Sequence, residues 1–266
     1  MVPYTLEGSY LLHQMFSIRW AAWKALDAQR QQALVAELQT VLIGMQQEGT
    51  SFYSMLGHKG DLMFVHFRPA MDALNAAELK LAQTGLADYF EQTTSYLSIV
   101  ELGLYESTQR IQRTLAEKGL QPGTEEWDKA ANEELDRSRT AMAPRLFPET
   151  PPARYLCFYP MDRRRGELKN WYQVPLDERA RMMDLHGRIG RKYAGIVKQI
   201  ISGSIGLDDW EWGVDLWAED PVQFKKLIYE MRFDEVSAVY ALFGKFYLGV
   251  RTQPEELVDL MSGRRP

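Results

Sequence analysis

The sequence predicts an α+β protein in which two βαββαβ units follow one another along one chain. Three observations support this prediction. Apolar segments rich in β-branched and aromatic residues alternate with longer segments rich in Ala, Leu, Gln and Glu. The same order of segments returns after a polar connector that ends in several prolines. With 266 residues, of which 45% are hydrophobic and 25% charged, the chain is long and apolar enough to bury a sizeable core.

Residues 1–106 form the first predicted unit. An Ala- and Leu-rich stretch predicts a helix that ends before Gly49, and His58, Lys59 and Gly60 separate two strands as a hairpin turn. Gly85 is predicted to cap the second helix at its C-terminus. The predicted elements are a strand over 9–18, a helix over 20–47, strands over 50–57 and 61–69, a helix over 70–85 and a strand over 95–105.

Residues 107–152 form a predicted connector, which suits either surface helices or an interface arm. Its polar composition predicts helices near 107–118 and 124–139. A loop punctuated by four prolines follows: Pro144, Pro148, Pro151 and Pro152.

Residues 153–266 repeat the order of the first unit. Asp177 is predicted as the N-cap of a helix that Gly195 terminates, and Pro221 suits the first turn of the next helix. Between these helices the chain alternates with period two, which places Trp210, Trp212, Val214 and Leu216 on one face of a strand. The predicted elements are a strand over 154–161, a helix over 177–193, strands over 196–204 and 208–220, a helix over 221–231 and a strand over 239–250.

Each βαββαβ unit is a ferredoxin-like fold, in which one face of a four-stranded antiparallel sheet carries no helix. That bare face needs a cover, and each unit offers the other a matching sheet. We therefore expect the two ferredoxin-like units to form a dimeric α+β barrel within one chain.

Composition narrows the functional classes. The single cysteine, Cys157, excludes an intrachain disulfide and is typical of a reducing, cytoplasmic compartment. The first residues show no signal-peptide pattern, and no apolar run approaches the ~20 residues of a membrane span. A net charge of −5 argues against general nucleic-acid binding. The chain also has no HExxH, GxxxxGK[ST] or GxSxG motif, which argues against zinc hydrolases, P-loop enzymes and α/β-hydrolases.

Residues 154–198 differ in charge from the rest of the chain. They hold 11 basic and 5 acidic residues, a net charge of +6 against −11 for the remainder. The segment contains Tyr159, three consecutive arginines that begin at Arg163, and His186. The local excess of positive charge indicates a small polyanionic ligand.

His186 lies in a predicted helix beside Gly187 and Gly190, each of which costs roughly 1 kcal/mol relative to alanine. A flat ligand that approaches the helix closely explains the glycines, and a neutral imidazole is a usual axial ligand of haem iron. A satisfied core histidine at a tight helix crossing explains them equally well. Gln199 follows 13 residues later, about 20 Å along an unbroken helix, so two side chains on opposite sides of one iron require the chain to reverse between them.

Six sequence blocks carry a resemblance to a known family. RYLCFYPMDRRR, NWY, HGRIGRKYAG, KQIISGS, DDWEWGVDLWAEDPVQFKKLIYEMRFDE and FGKFYLG occur in this order between residues 154 and 249. Together they resemble the chlorite dismutase-like superfamily and, within it, the coproheme decarboxylases of Gram-positive haem synthesis. The resemblance implies a homopentamer of tandem ferredoxin-like barrels, with one porphyrin pocket in the C-terminal half of each subunit.

The resemblance also implies a reaction. Iron coproporphyrin III (coproheme) is both substrate and redox centre, and hydrogen peroxide is the oxidant. A ferrochelatase is a candidate for handing over the porphyrin, and the enzyme that delivers it stays open. Two propionates become vinyl groups with loss of carbon dioxide, which gives haem b through a three-propionate intermediate.

The matching positions suggest roles for individual residues. His186 matches the proximal iron ligand, Tyr159 the tyrosine that carries a radical, and Gln199 the distal position where chlorite dismutases have arginine. The remaining matches are Arg145, Arg232 and Ser237 at propionate-contacting positions and Met161 near the reacting substituents. Judged without the resemblance, the tyrosine is ordinary packing and the arginines are surface charge or ion pairs.

Arg163 departs from the family pattern, which often has lysine at this position. An arginine keeps the charge and still matches a propionate, but it does not transfer protons as lysine does. Two other readings stay open: a chlorite dismutase or haem peroxidase of the same fold, and a non-enzymatic haem-binding or trafficking protein. Gln199 disfavours chlorite as substrate, because an amide stabilises an oxyanion less than arginine does.

Overall fold

The computed structural model describes residues 2–264, and the first unit has the predicted order of elements. Asp27 interrupts the predicted helix over 20–47, because its carboxylate caps a new helix by accepting a hydrogen bond from the Arg30 amide at 2.8 Å. The prediction that Gly85 caps a helix is wrong: the helix ends at Ala82, and Gly85 opens a 3₁₀ turn. The elements are β1 (Thr5–Ile18), α1 (Trp20–Lys24), α2 (Ala28–Gln47), β2 (Thr50–Leu56), β3 (Leu62–Arg68), α3 (Met71–Ala82) and β4 (Phe90–Gly103).

The connector forms two helices, α4 (Tyr105–Glu117) and α5 (Glu125–Leu146). The predicted proline loop begins later than expected, because Pro144 lies inside the last turn of α5. This end of α5 packs directly on β1. A Cβ atom added to Gly8 would lie 1.9 Å from the Leu146 carbonyl oxygen, so the close approach requires glycine.

The second unit repeats the first with two differences from the prediction. Asp177 lies in the first turn of its helix and Pro175 precedes that turn, so the predicted N-cap is wrong. The predicted strand over 239–250 is divided at Gly244, and its first residues form part of a π-helical turn, Val236–Tyr240. The elements are β5 (Tyr155–Arg163), α6 (Leu176–Lys192), β6 (Lys198–Gly203), β7 (Trp212–Ala218), α7 (Val222–Met231), β8 (Ala241–Phe243), β9 (Tyr247–Thr252) and α8 (Leu257–Met261).

The strands close into an antiparallel barrel, as predicted. Each half keeps the ferredoxin-like strand order, β4-β1-β3-β2 in the first and β9-β5-β7-β6 in the second. β2 pairs with β9 along one seam, and β4 pairs with β6 along the other. β8 extends the last strand position beyond Gly244 by pairing with the end of β5.

Side chains fill the barrel, and helices cover its outer face. Residues 213–218 of β7 are all buried, because one face of the strand points into the barrel and the other packs under α7. Inside the barrel, His13 of the first half and Asp215 of the second form a fully buried pair at 2.8 Å. Within residues 2–264, no helix has both the length and the apolar character that a membrane span needs.

Candidate functional site

His186 forms a hydrogen bond that determines which of its ring nitrogens is free. Nδ1 lies 2.9 Å from Oδ2 of Asp234, and a carboxylate oxygen accepts, so Nδ1 carries the proton. Nε2 then keeps its lone pair and is available to a metal. Burial opposes the charge on Asp234, but hydrogen bonds from His186 and Ser237 outweigh it and hold the pKa of this carboxyl below its usual value.

The two glycines of α6 face different surroundings. A Cβ atom added to Gly190 would lie 3.4 Å from Nε2 of Gln199 and 3.6 Å from Cε of Met231, in the space between α6 and the sheet. A Cβ atom added to Gly187 would meet the guanidinium of Arg191 alone, at 3.2 Å. Gly190 is therefore the glycine that brings the helix close to the sheet beside His186.

Gln199 approaches this helix from β6. Its Nε2 lies 3.4 Å from the Gly190 carbonyl oxygen, and the chain reverses between them at Gly195, whose φ is +80°. The reversal that the spacing of His186 and Gln199 required is confirmed. A flat ligand bound between α6 and β6 would have to displace the contact between Gln199 and Gly190.

Tyr159 is a buried side chain of β5, 4% exposed. Its ring stacks on Phe246 with centroids 4.5 Å apart, and Phe243 lies 5.7 Å away. Burial raises the pKa of the phenol above its usual value. Within residues 2–264 the hydroxyl makes no hydrogen bond to another side chain or to the backbone, so it is available to a ligand.

One apolar cluster connects the tyrosine with the helix that carries the histidine. It includes Tyr159 and Met161 from β5, Met231 from α7 and Ile189 from α6. Since Ile189 follows His186 by three residues, it lies on the same side of the helix one turn later. The sheet face with Tyr159 and the helix that carries His186 thus pack in the same apolar cluster.

Arg163 is the arginine of the 163–165 run that lies on the same strand face as Tyr159. Tyr159, Met161 and Arg163 alternate along β5 and share a face. The guanidinium carbon of Arg163 lies 5.0 Å from the Trp171 ring centre and 5.9 Å from that of Trp212, and burial lowers the pKa of the group. No carboxylate of residues 2–264 lies within ion-pair distance of this side chain, whose Nη2 contacts Sδ of Met183 at 3.7 Å.

The other two arginines of the run have different side-chain contacts. Arg165 pairs with Glu211, with Nε 3.6 Å from Oε1. Arg164 is exposed and, with Arg163 and Arg165, borders a cleft of about 450 Å³ that also includes Asp162 and Leu242. The three consecutive arginines therefore border one cleft but differ in their side-chain contacts.

The predicted propionate contacts do not all meet at this site. Arg232 lies beside it, with its guanidinium carbon 3.7 Å from the Phe243 ring centre. Arg145 is exposed in the last turn of α5, where its one recorded polar contact among residues 2–264 is Sδ of Met142 at 3.9 Å. Ser237 is buried and bonded to Asp234.

Asp234 is the functional residue that sequence reasoning missed. It lies 48 residues from His186 in the chain, and no local spacing indicates that the two meet. A partial signal was present, because Asp234 and Ser237 have the spacing of an N-cap and its N3 residue. That signal predicts a capped turn but not a histidine partner.

The site suits a metal whose ligands come mostly from a bound macrocycle and not from protein side chains. Among residues 2–264, no three His, Cys, Asp or Glu side chains converge as a metal-binding group. One imidazole lone pair and the close approach to the helix backbone that Gly190 allows suit an iron porphyrin, in which the macrocycle supplies four nitrogens. Arg163 and Arg232 add positive charge near the apolar cluster, and guanidinium groups pair with carboxylates.

The two glycines provide a prediction with a matched control. Gly190→Leu should weaken binding of iron porphyrin by roughly tenfold to a hundredfold, because overpacking costs about 1–3 kcal/mol. Gly187→Leu should bind normally, since its side chain meets only the mobile end of Arg191. Absorption titration of both variants measures the effect, and equal affinities would show that no ligand approaches Gly190.

The sequence of this chain is similar to those of several known proteins. The model of the chlorite dismutase family matches residues 30–252. A coproheme decarboxylase of Staphylococcus saprophyticus is 42% identical, over 98% of this chain and 98% of its own length. A putative heme-binding protein of Haloquadratum walsbyi is 44% identical over 99% of this chain, which spans about half (48%) of that relative.

Solved structures agree with the fold. A heme-binding protein of Thermus thermophilus superposes with a TM-score of 0.83 at 39% identity, covering 98% of this chain and 99% of that one. A mutant chlorite dismutase of Candidatus Nitrospira defluvii superposes with a TM-score of 0.72 at 16% identity, covering 97% of each chain. The second similarity supports the fold alone.

Proposed function

The chain belongs to the chlorite dismutase family, and we propose that it is a coproheme decarboxylase that uses hydrogen peroxide to convert two propionates of iron coproporphyrin III into vinyl groups. The observation that carries this proposal is the buried phenol of Tyr159, whose hydroxyl has no hydrogen bond within residues 2–264 and whose ring lies in the same apolar cluster as Ile189 of the helix that carries His186. The 42% identity to a protein named coproheme decarboxylase supports the same reaction.

His186 and Asp234 hold the iron in this proposal. Nε2 of His186 donates its lone pair, and Asp234 keeps the proton on Nδ1 and increases the basicity of the ligand. Gln199 approaches from the sheet side, where it can hydrogen-bond a small molecule on the other face but cannot exchange protons. The bound iron porphyrin supplies the oxidising power that it draws from peroxide.

Tyr159 links that oxidising power to the propionate. Its raised pKa keeps the phenol protonated at neutral pH, so it loses an electron and a proton together and becomes a tyrosyl radical. The radical regains hydrogen from the propionate carbon next to the macrocycle. The resulting carbon radical passes one more electron to the oxidised porphyrin. The bond between the carboxylate carbon and the carbon beside it then breaks, which releases carbon dioxide and leaves the vinyl double bond.

The decarboxylation of each propionate consumes one molecule of hydrogen peroxide. A propionate carboxylate loses carbon dioxide, two electrons and one proton, and becomes a vinyl group, while solvent supplies the second proton that the peroxide takes up. Hydrogen peroxide accepts two electrons and two protons and becomes two waters. Two such steps convert coproheme into haem b.

The positive side chains orient the substrate. Arg163 and Arg232 lie beside Tyr159 and form charge-assisted hydrogen bonds with propionates. Met161 contributes apolar surface on the same face of β5. Arg145 requires a movement of α5 or a second subunit to reach a propionate.

The assembly and cellular setting expected from the resemblance remain part of the proposal. The protein is proposed to act in the cytoplasm as a homopentamer that receives coproheme from a ferrochelatase. The exposed aromatic side chains of Tyr229 and Phe233, 65% and 74% exposed, provide apolar surface for subunit contacts. The division into residues 1–106, 107–152 and 153–266 assigns the porphyrin site to the last segment.

Mass spectrometry of the porphyrin during peroxide titration tests the reaction. The proposal requires two successive products, each lighter by one carbon dioxide and two hydrogens. An unchanged porphyrin mass would instead indicate a haem-binding or trafficking protein. Oxygen release from chlorite, measured with an oxygen electrode, would indicate a chlorite dismutase, which the amide of Gln199 disfavours.

A further inference from the structure

We propose that Ser237 is a positioning residue, which acts through Asp234 on the imidazole of His186. This inference rests on the proposed function, in which His186 ligates iron. Ser237 is 6% exposed and gives two hydrogen bonds to one carboxylate. Its backbone amide donates to Oδ1 of Asp234 at 2.8 Å, and its hydroxyl donates to Oδ2 at 3.2 Å. Oδ2 is also the oxygen that accepts from Nδ1 of His186, at 2.9 Å.

The two bonds from Ser237 have different effects. The amide bond belongs to the turn itself, since Asp234 precedes the π-helical turn Val236–Tyr240. The hydroxyl adds a second point of attachment. A carboxylate rotates over a broad, two-fold torsional range, and a second donor on Oδ2 restricts that rotation. The hydroxyl therefore keeps Oδ2 directed at His186.

A fixed carboxylate determines the tautomer of the imidazole. With Oδ2 in place, the proton of His186 stays on Nδ1, and Nε2 presents its lone pair to the metal. A hydroxyl group has a single proton to donate. While Ser237 donates it to Asp234, that proton does not bind a ligand carboxylate, so the observed contact differs from the direct propionate contact that the family resemblance implies.

Measurements on porphyrin-free protein distinguish the positioning role of Ser237 from a direct contact with a propionate. The tautomer of His186 is measured by nitrogen-15 NMR of the imidazole at one fixed pH. The variants are Ser237→Thr, which keeps the hydroxyl, and Ser237→Val, which has nearly the same shape without it. Ser237→Ala removes the hydroxyl with the least change in volume and keeps the backbone bond to Asp234.

We expect the ratio of Nδ1–H to Nε2–H tautomers to fall about tenfold in Ser237→Ala and Ser237→Val, and to stay near the wild-type value in Ser237→Thr. The iron–histidine stretching frequency of the ferrous coproheme complex, measured by resonance Raman, should fall in the same two variants. Asp234→Asn gives the largest change, because its amide presents a donor or a weaker acceptor to Nδ1.

Unchanged tautomer ratios in Ser237→Ala and Ser237→Val would overturn the positioning role. Lower affinity for coproheme with wild-type tautomer ratios would assign Ser237 to a propionate instead. Failure of the wild-type protein to bind coproheme would contradict the proposed function, and it is distinguished from both results because the tautomer measurement uses no porphyrin.

Discussion

Replacement of Tyr159 by phenylalanine should abolish vinyl formation while coproheme still binds. The change removes a hydroxyl that makes no hydrogen bond within residues 2–264, and the remaining ring keeps its stack on Phe246. The stability of the protein should change little, because no buried partner is left unsatisfied. Phenylalanine has no O–H hydrogen to give up, so the link between the oxidised porphyrin and the propionate is lost.

The measurement compares the porphyrin mass after peroxide addition in Tyr159→Phe and in Tyr155→Phe. Tyr155 lies on the same strand and the same face, four residues earlier. The Tyr155 variant should give both lighter products, and the Tyr159 variant should return coproheme of unchanged mass. Haem b production at the normal rate by Tyr159→Phe would remove the tyrosine from the reaction.

His186→Ala should lose the protein ligand of the iron. A partner of a metal-binding histidine, such as Asp234, contributes roughly tenfold to a hundredfold in affinity, and loss of the ligand itself should cost more. The Soret band of added coproheme should shift in this variant, and free imidazole should restore it in part by binding in the space left by the side chain. Absorption titration measures both effects.

His58→Ala is the control for this substitution, since His58 is exposed in the turn between β2 and β3. The control should show wild-type affinity and an unchanged spectrum. A wild-type spectrum in His186→Ala would show that another group ligates the iron.

Local sequence patterns predicted the secondary-structure elements, because each element depends on residues that are close together in the chain. The turn at residues 58–60 and the helix after Pro221 follow from side chains within a few positions, and both are confirmed. The barrel followed from a repeated order of elements, since two sheets with bare faces have few other ways to cover them. The reversal before Gln199 followed from its distance along the chain from His186.

Features that depend on distant residues were not predictable in the same way. Asp234 meets His186 through the packing of α7 against α6. Arg163 lies near two tryptophans, Trp171 and Trp212, from separate segments, so a run of three arginines in the sequence does not show which of them contacts these side chains.

The last strand shows the same limit. Residues 239–250 have a continuous apolar pattern, yet the chain divides because β8 pairs with the end of β5 while β9 pairs with β5 and β2. The alternating sequence of β7 suggests one apolar and one polar face. Both faces are buried, because one points into the barrel and the other packs under α7. In both cases tertiary pairing decides where the strand begins and which face is buried.

A crystal structure of the protein with iron coproporphyrin III is the most direct test of the account. We predict that the iron is bound to Nε2 of His186 and that the Tyr159 hydroxyl lies within hydrogen-bonding distance of one propionate. A porphyrin bound elsewhere, or one whose macrocycle separates these two side chains from any common propionate, would contradict it.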